Sequence, residues 1–211
     1  MNMKRYGFLF ALPLALLVGC GEADELKTTT TETEEVVVAE EPEEAPEAET
    51  QTEEAEVQET ELGTNQIHLK NKALDIMEAM GSVQFQVDKV QTSRLKVAEA
   101  YRDSFDGKDE VTVVVFNVIA ENTVEDTISF HPNQSTLVTN TGEQIDANLW
   151  FSDDVGGDFL GEVKKEGNVF FFAESMPEEL AELRLIVGGP TNTDYEKLAE
   201  ESYEYKIDVT K

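Results

Sequence analysis

Cys20 is the only cysteine in the 211 residues, so its thiol cannot close a disulfide within the chain. A lone cysteine is commonly a small buried hydrophobe. Cys20 does not fit that reading, because it lies between the small-residue step Leu17-Val18-Gly19 and the polar run Gly21-Glu22-Ala23-Asp24. The remaining reactive side chains are sparse. His68 and His131 are the only histidines, and neither belongs to an HExxH helix or lies near a cysteine, so a zinc site lacks its ligands. No GxSxG elbow and no phosphate-binding glycine loop follows an apolar run. Gly156-Gly157 and Gly188-Gly189 read as turns. Oxygen ligands are more plentiful. Ser152-Asp153-Asp154-Val155-Gly156-Gly157-Asp158, with Glu162 beyond, sets four carboxylates in a glycine-bearing loop of the kind calcium accepts. Asp103, Asp106, Asp109 and Glu110 form a second acidic group. Neither group has the alternating order of an EF-hand, so the competing reading of each is a solvated turn. Asp153, Asp154, Asp158 and Glu162 are the metal candidates. No motif calls for a cofactor, and no catalytic residue is assigned.

Three segments position these residues. Lys4 and Arg5 precede an apolar run from Tyr6 to Val18, interrupted by Pro13 and followed by small residues. A basic start, an apolar middle and small residues before a cut make a secretory signal peptide over 1–19. The run falls short of the about 20 apolar residues that a membrane-spanning helix needs. With a cysteine directly after the cut, the pattern resembles that of bacterial lipoprotein precursors. The resemblance implies that the Cys20 thiol is diacylglycerated and the peptide cleaved before it. Two acyl chains would then hold the mature chain on the extracytoplasmic face of the cell membrane, since one alone holds only marginally.

From Gly21 to Gln66 the composition narrows to Glu, Thr, Ala, Val and Pro, with Lys27 the lone base and no aromatic residue. High like charge and low hydrophobicity cannot offset chain entropy, and Pro42 and Pro46 oppose a helix. Residues 20–66 therefore read as the lipidated cysteine plus a disordered acidic linker. Its reach is at most on the order of 150 Å. The whole chain carries a net charge of −29. Without clustered Lys and Arg, nucleic acid is not an expected partner, and anionic headgroups repel the domain.

Residues 67–211 read as one folded domain. Leu69, Ala73, Ile76, Met77 and Met80 fall at helical spacing before Gly81, which predicts a short helix over 69–80. Strands follow. Val83, Phe85 and Val87 alternate with polar residues. Val111 to Ala120 is apolar on both faces, as in a central strand. Asn140-Thr141-Gly142-Glu143 predicts a hairpin turn leading into a strand from Gln144 to Trp150, and Tyr195 to Glu201 one or two helical turns. Tyr203, Tyr205, Ile207 and Val209 alternate with Glu204, Lys206 and Asp208. Seven or eight short strands predict an all-β, antiparallel sandwich with a short N-terminal helix, a small barrel being the competing architecture.

The strand Val111 to Asn122 ending in Glu121-Asn122, Gly142 after a short strand, Gly161 followed by Gly167-Asn168-Val169-Phe170-Phe171, and Met176-Pro177 before Leu183-Arg184-Leu185 carry a second likeness. Over roughly Ser82 to Val209 the chain resembles the immunoprotective-extracellular, immunoglobulin-like domain of Gram-positive lipoproteins of unknown function. That resemblance implies a β-sandwich at the cell surface and offers no catalytic residue. The expectation is a non-enzymatic module for an unidentified protein or envelope partner, with Trp150-Phe151 as a candidate aromatic contact. The alternative is a lipoprotein that binds calcium or another small ligand.

Overall fold

The computed structural model describes residues 56–210. The signal segment 1–19, Cys20 and the acidic stretch up to residue 55 lie outside the described residues. Twelve strands run in chain order: β1 (Val57–Thr60), β2 (Gly63–Met80), β3 (Val83–Val97), β4 (Glu110–Asn122), β5 (Ile128–Phe130), β6 (Thr136–Thr139), β7 (Gln144–Asp146), β8 (Gly157–Phe159), β9 (Lys164–Ala173), β10 (Glu182–Gly188), β11 (Thr191–Asn192) and β12 (Ser202–Asp208). All pairings are antiparallel. One sheet has the order β1-β2-β3-β4-β9, and the remaining strands form a four-stranded sheet β12-β10-β6-β7 and a three-stranded sheet β11-β5-β8.

The predicted sandwich-like, all-β fold is what forms, with more strands than the seven or eight expected. Val114, Phe116 and Val118 of β4 and Phe171 of β9 meet Phe130 of β5, Leu137 of β6, Leu185 of β10 and Ile207 of β12 in one buried core. Phe85 meets Phe130 edge-on at 5.6 Å and 83°, and Phe116 meets Phe171 at 5.9 Å and 80°. Edge-to-face pairs of this kind add about 0.5–1.5 kcal/mol each beyond the area they bury. β4 lies inside its sheet, flanked by β3 and β9, as its continuous apolar run predicts.

The helix expected over 69–80 is instead the long strand β2. Its pairing with β3 slips between Ile67 and Leu69, between Leu69 and Lys72, and between Ala73 and Ile76. Across this bulged stretch the inward parity changes, from Ile67 and Leu69 to the even positions beyond. Inward residues are then Leu74, Ile76 and Met80, while Met77 is 75% exposed. Mixed parity placed apolar residues three and four apart and imitated a helical period. Gly81 is not a helix stop. It opens the two-residue turn between Met80 and Val83 with φ 61°, the position where a type II′ hairpin requires glycine. A Cβ there would also sit 2.6 Å from the Leu198 carbonyl oxygen.

Other boundaries move as well. β1 and the start of β2 fall within 20–66, the span expected to be linker, so part of that span is strand. The strand expected from Gln144 to Trp150 stops at Asp146. Tyr195 to Glu201 holds no helical turn. Asn192 Oδ1 accepts from the backbone N–H of Asp194 and of Glu196, both at 2.9 Å, and curls this segment into a loop. A side-chain acceptor competing in this way is how Asn displaces helix.

Candidate functional site

Because strand side chains alternate, the five-stranded sheet has a second face turned away from the main core. Val111, Val113 and Val115 of β4 and Phe170 and Phe172 of β9 occupy it, with Leu95 and Val97 of β3. Two loops fold over this patch. A 3-10 segment, Glu99–Phe105, brings Tyr101 and buried Phe105. Asp106 (φ 55°) and Gly107 (φ 76°) then reverse the chain into β4. The second loop, Asn148 to Ser152, brings Phe151.

Phe151 stacks on Phe105 at 5.7 Å and 22°, and Phe172 meets both edge-on at 5.2 and 5.0 Å. The loop is stitched to the free edge of β9. Asn148 N–H donates to the Phe170 carbonyl at 2.8 Å, Phe170 N–H donates to Ser152 Oγ at 2.9 Å, and Trp150 N–H donates to Asn148 Oδ1 at 3.0 Å. Phe151 is committed inward by this arrangement and its neighbour is turned outward. Trp150 is 95% exposed. Its indole rims a pocket of about 450 Å³ with Leu62, Tyr101, Ser104 and Phe151. The aromatic pair expected from the sequence thus divides into a packing residue and a presented one.

Exposing a whole indole is unusual, since large aromatics bury 150–250 Å² where they can. Hydrogen bonds hold the Trp150 backbone in the loop, which lowers the main-chain ordering that a contact through its indole would require. The site contains no nucleophile paired with a base.

Asp153 of the acidic loop has a structural contact of its own. Asp153 Oδ2 accepts from Asn168 N–H at 2.7 Å and from Asn168 Nδ2 at 3.2 Å, fastening the loop to β9. Gly167 is the residue that permits this approach, because a Cβ there would stand 2.6 Å from the Asp153 Cβ. Asp154, Asp158 and Glu162 are exposed. Among the described residues, no three His, Cys, Asp or Glu side chains converge in a way that could hold a metal. In the second acidic group, Asp109 pairs with Arg102 at 2.9 Å and Glu110 with Arg94. His131 hydrogen-bonds Ser129 through Nε2 and Gln134 through Nδ1. His68 Nδ1 lies 3.6 Å from a Glu178 carboxylate oxygen.

Glu143, which the sequence marks only as the end of a hairpin turn, is held by backbone donors. It accepts from the N–H of Glu174 and of Ser175, both at 2.8 Å. Partial burial pushes its pKa up, but these bonds and those of the Ser175 and Thr141 side chains outweigh burial and leave it lowered. Its position directly after the Gly142 turn, three residues beyond Asn140, was the available signal.

No protein-family model matches the chain. Among curated proteins it is similar to the SPβ prophage-derived uncharacterized lipoprotein YonS of Bacillus subtilis (strain 168), with 26% identity over 95 residues. The match covers 44% of this chain and 47% of the relative, so the chain spans about half the length of that relative. Among solved structures, a functionally unknown protein from Listeria monocytogenes EGD-e aligns with a TM-score of 0.52 and 8% identity, covering 68% of this chain and 88% of the other, a likeness of fold alone.

Proposed function

We propose that the chain is a lipoprotein, anchored through Cys20 on the extracytoplasmic face of the membrane, whose immunoglobulin-like sandwich binds a protein or envelope component and catalyses nothing. The observation that carries the binding reading is the 95% exposed Trp150 fixed at the rim of the Leu62–Tyr101–Phe151 pocket. The Leu17-Val18-Gly19-Cys20 step supports the anchor, together with the description of YonS as a lipoprotein. The acidic stretch after Cys20 serves as a spacer, since like-charged headgroups and domain repel each other.

Hydroxyl-radical footprinting of the full chain tests the contact. Trp150 is expected to oxidise readily in the purified protein and several-fold more slowly on intact cells. Equal rates in the two settings refute the contact. Cys20→Ser tests the anchor independently: it is expected to move the protein out of the membrane fraction, and a variant still firmly membrane-bound refutes lipidation as the attachment.

A further inference from the structure

Further along the same outer face, where the aromatic cover ends, the sheet forms a pocket of about 240 Å³ with an unusual lining. Its uncharged polar side chains come from four strands: Asn65 and Asn71 on β2, Gln91 and Ser93 on β3, Asn117 on β4 and Asn168 on β9. Asn71 occupies a bulge of β2 with φ 44°. Three of the polar atoms are buried and have no hydrogen-bond partner among the described residues: Asn65 Oδ1, Ser93 Oγ and Asn117 Oδ1. Ser93 is only 1% exposed. Buried polar groups are nearly always satisfied, so three unpaired atoms around one pocket point to something that enters it.

The polarity of the pocket is fixed by a relay. An ionised carboxylate only accepts hydrogen bonds. Asp153 Oδ2 therefore draws the Asn168 Nδ2 toward itself, at 3.2 Å, which turns Asn168 Oδ1 toward Asn117. Asn117 Nδ2 donates to that oxygen at 3.3 Å. Asn117 Oδ1 is left over as an unpaired acceptor. One carboxylate outside the pocket thus determines that Asn117 offers it an oxygen rather than an amide nitrogen.

We propose that this pocket binds a small neutral saccharide, one sugar ring in size. Two amide oxygens require hydrogen-bond donors, and the Ser93 hydroxyl can give or receive, which matches the hydroxyls of a sugar. Lys89 is the lining cation, and it is ion-paired with Asp88 at 2.6 Å, so an ionic ligand gains little. Val115 and Phe170 supply an apolar wall for the C–H groups of a ring. The volume lies below the about 300–1,000 Å³ of pockets for larger organic ligands, which limits the occupant to a single unit. This site is separate from the Trp150 rim and stands or falls without it.

The test uses the purified full chain in a polyoxyethylene detergent, which carries no sugar headgroup. Glucose, N-acetylglucosamine and tetramethylammonium are titrated to roughly 50 mM, well above a 1 mM dissociation constant, with the Asn side-chain amide resonances and calorimetry as readouts. At least one sugar is expected to saturate and to shift the Asn117 and Asn168 amide signals. Ser93→Ala and Asn117→Leu are expected to weaken it about tenfold each, in line with loss of one well-made hydrogen bond. Asp153→Ala, a positioning change, is expected to weaken it while altering the Asn117 amide signal, and Asp153→Asn, which still offers Asn168 an acceptor, to retain it. Where Asn117→Leu lowers the melting point by itself, Ser93→Ala decides, since it removes a single oxygen. Saturation by neither sugar, tighter binding of tetramethylammonium, or sugar affinity indifferent to Ser93→Ala overturns the proposal.

Discussion

Replacing Asn122 by alanine removes the side chain that ties together the β4–β5 and β8–β9 connections. Asn122 is the last residue of β4 and is wholly buried. Its Nδ2 donates to the carbonyls of Asp126 at 2.8 Å, Gly161 at 2.9 Å and Val124 at 3.1 Å. Two protons serve three acceptors; the Gly161 carbonyl keeps the N–H of Val163 at 2.8 Å, so alanine strands the carbonyls of Asp126 and Val124. A buried group left unpaired costs about 1–3 kcal/mol. Water can reach part of the exposed stretch Thr123 to Glu125, which holds the total nearer to about 2–5 kcal/mol. For a domain of this size each kcal/mol moves the midpoint by about 2–4 °C. Asn122→Ala is therefore expected to lower Tm by roughly 5–15 °C. Asn122→Asp is expected to do worse, because it sets a carboxylate against three carbonyl oxygens with no proton between them. Circular dichroism melts at neutral pH measure both variants, and hydrogen exchange locates the loosening at the β4–β5 connection and around Gly161. A fall below about 2 °C for alanine, or an aspartate variant at least as stable as the alanine one, would refute the assignment of Asn122 as the hub.

The two aromatics of the 148–152 loop should separate cleanly: Trp150→Ser is expected to leave the unfolding free energy within about 0.5 kcal/mol of wild type, while Phe151→Ala, which removes the ring stacked on Phe105 and edge-on to Phe172, is expected to cost about 3 kcal/mol, both read by denaturant titration. Glu143 titrates with a lowered pKa in the folded chain, so the folded state binds fewer protons than the unfolded one between the two values. Its contribution is present above the ordinary glutamate value of about 4.3 and is lost as pH falls through the lower folded value. Glu143→Gln is accordingly expected to be less stable than wild type at neutral pH and to flatten the acid limb of the stability profile, as melts between neutral and acid pH would reveal; an unchanged limb would contradict the hydrogen-bond geometry at Glu174 and Ser175.

Strands whose apolar residues keep one parity were legible before the structure. β12 turns Tyr203, Tyr205 and Ile207 toward the core as its alternation demands, with buried Val209 just beyond its end, and β4 lies inside its sheet as its two-sided run demands. β2 was not legible, because its inward parity changes across a bulged stretch and the change is set by pairing with β3, not by β2 itself. β1, Val-Gln-Glu-Thr, is exposed throughout and carries no apolar pattern to read. At the aromatic site, the sequence marked Trp150 and Phe151 as a pair, but their opposite fates follow from hydrogen bonds to β9 that have no local signature. The amide pocket draws on strands far apart in the chain. Its one sequence trace is Asn117, a polar residue between Phe116 and Val118 in an otherwise apolar run.

β1 also has a mechanical meaning. It is the first described strand from the N-terminal side, it holds the sheet by a single edge, and every one of its residues is exposed. Among the described strands, tension arriving along the chain from that side would reach β1 first. Four register pairs with β2 can give way without opening either hydrophobic cluster, releasing on the order of 14 Å of slack at about 3.4 Å per residue. The edge strand would then behave as a fuse that yields under shear and re-zips when the pull ends, sparing the sandwich behind it.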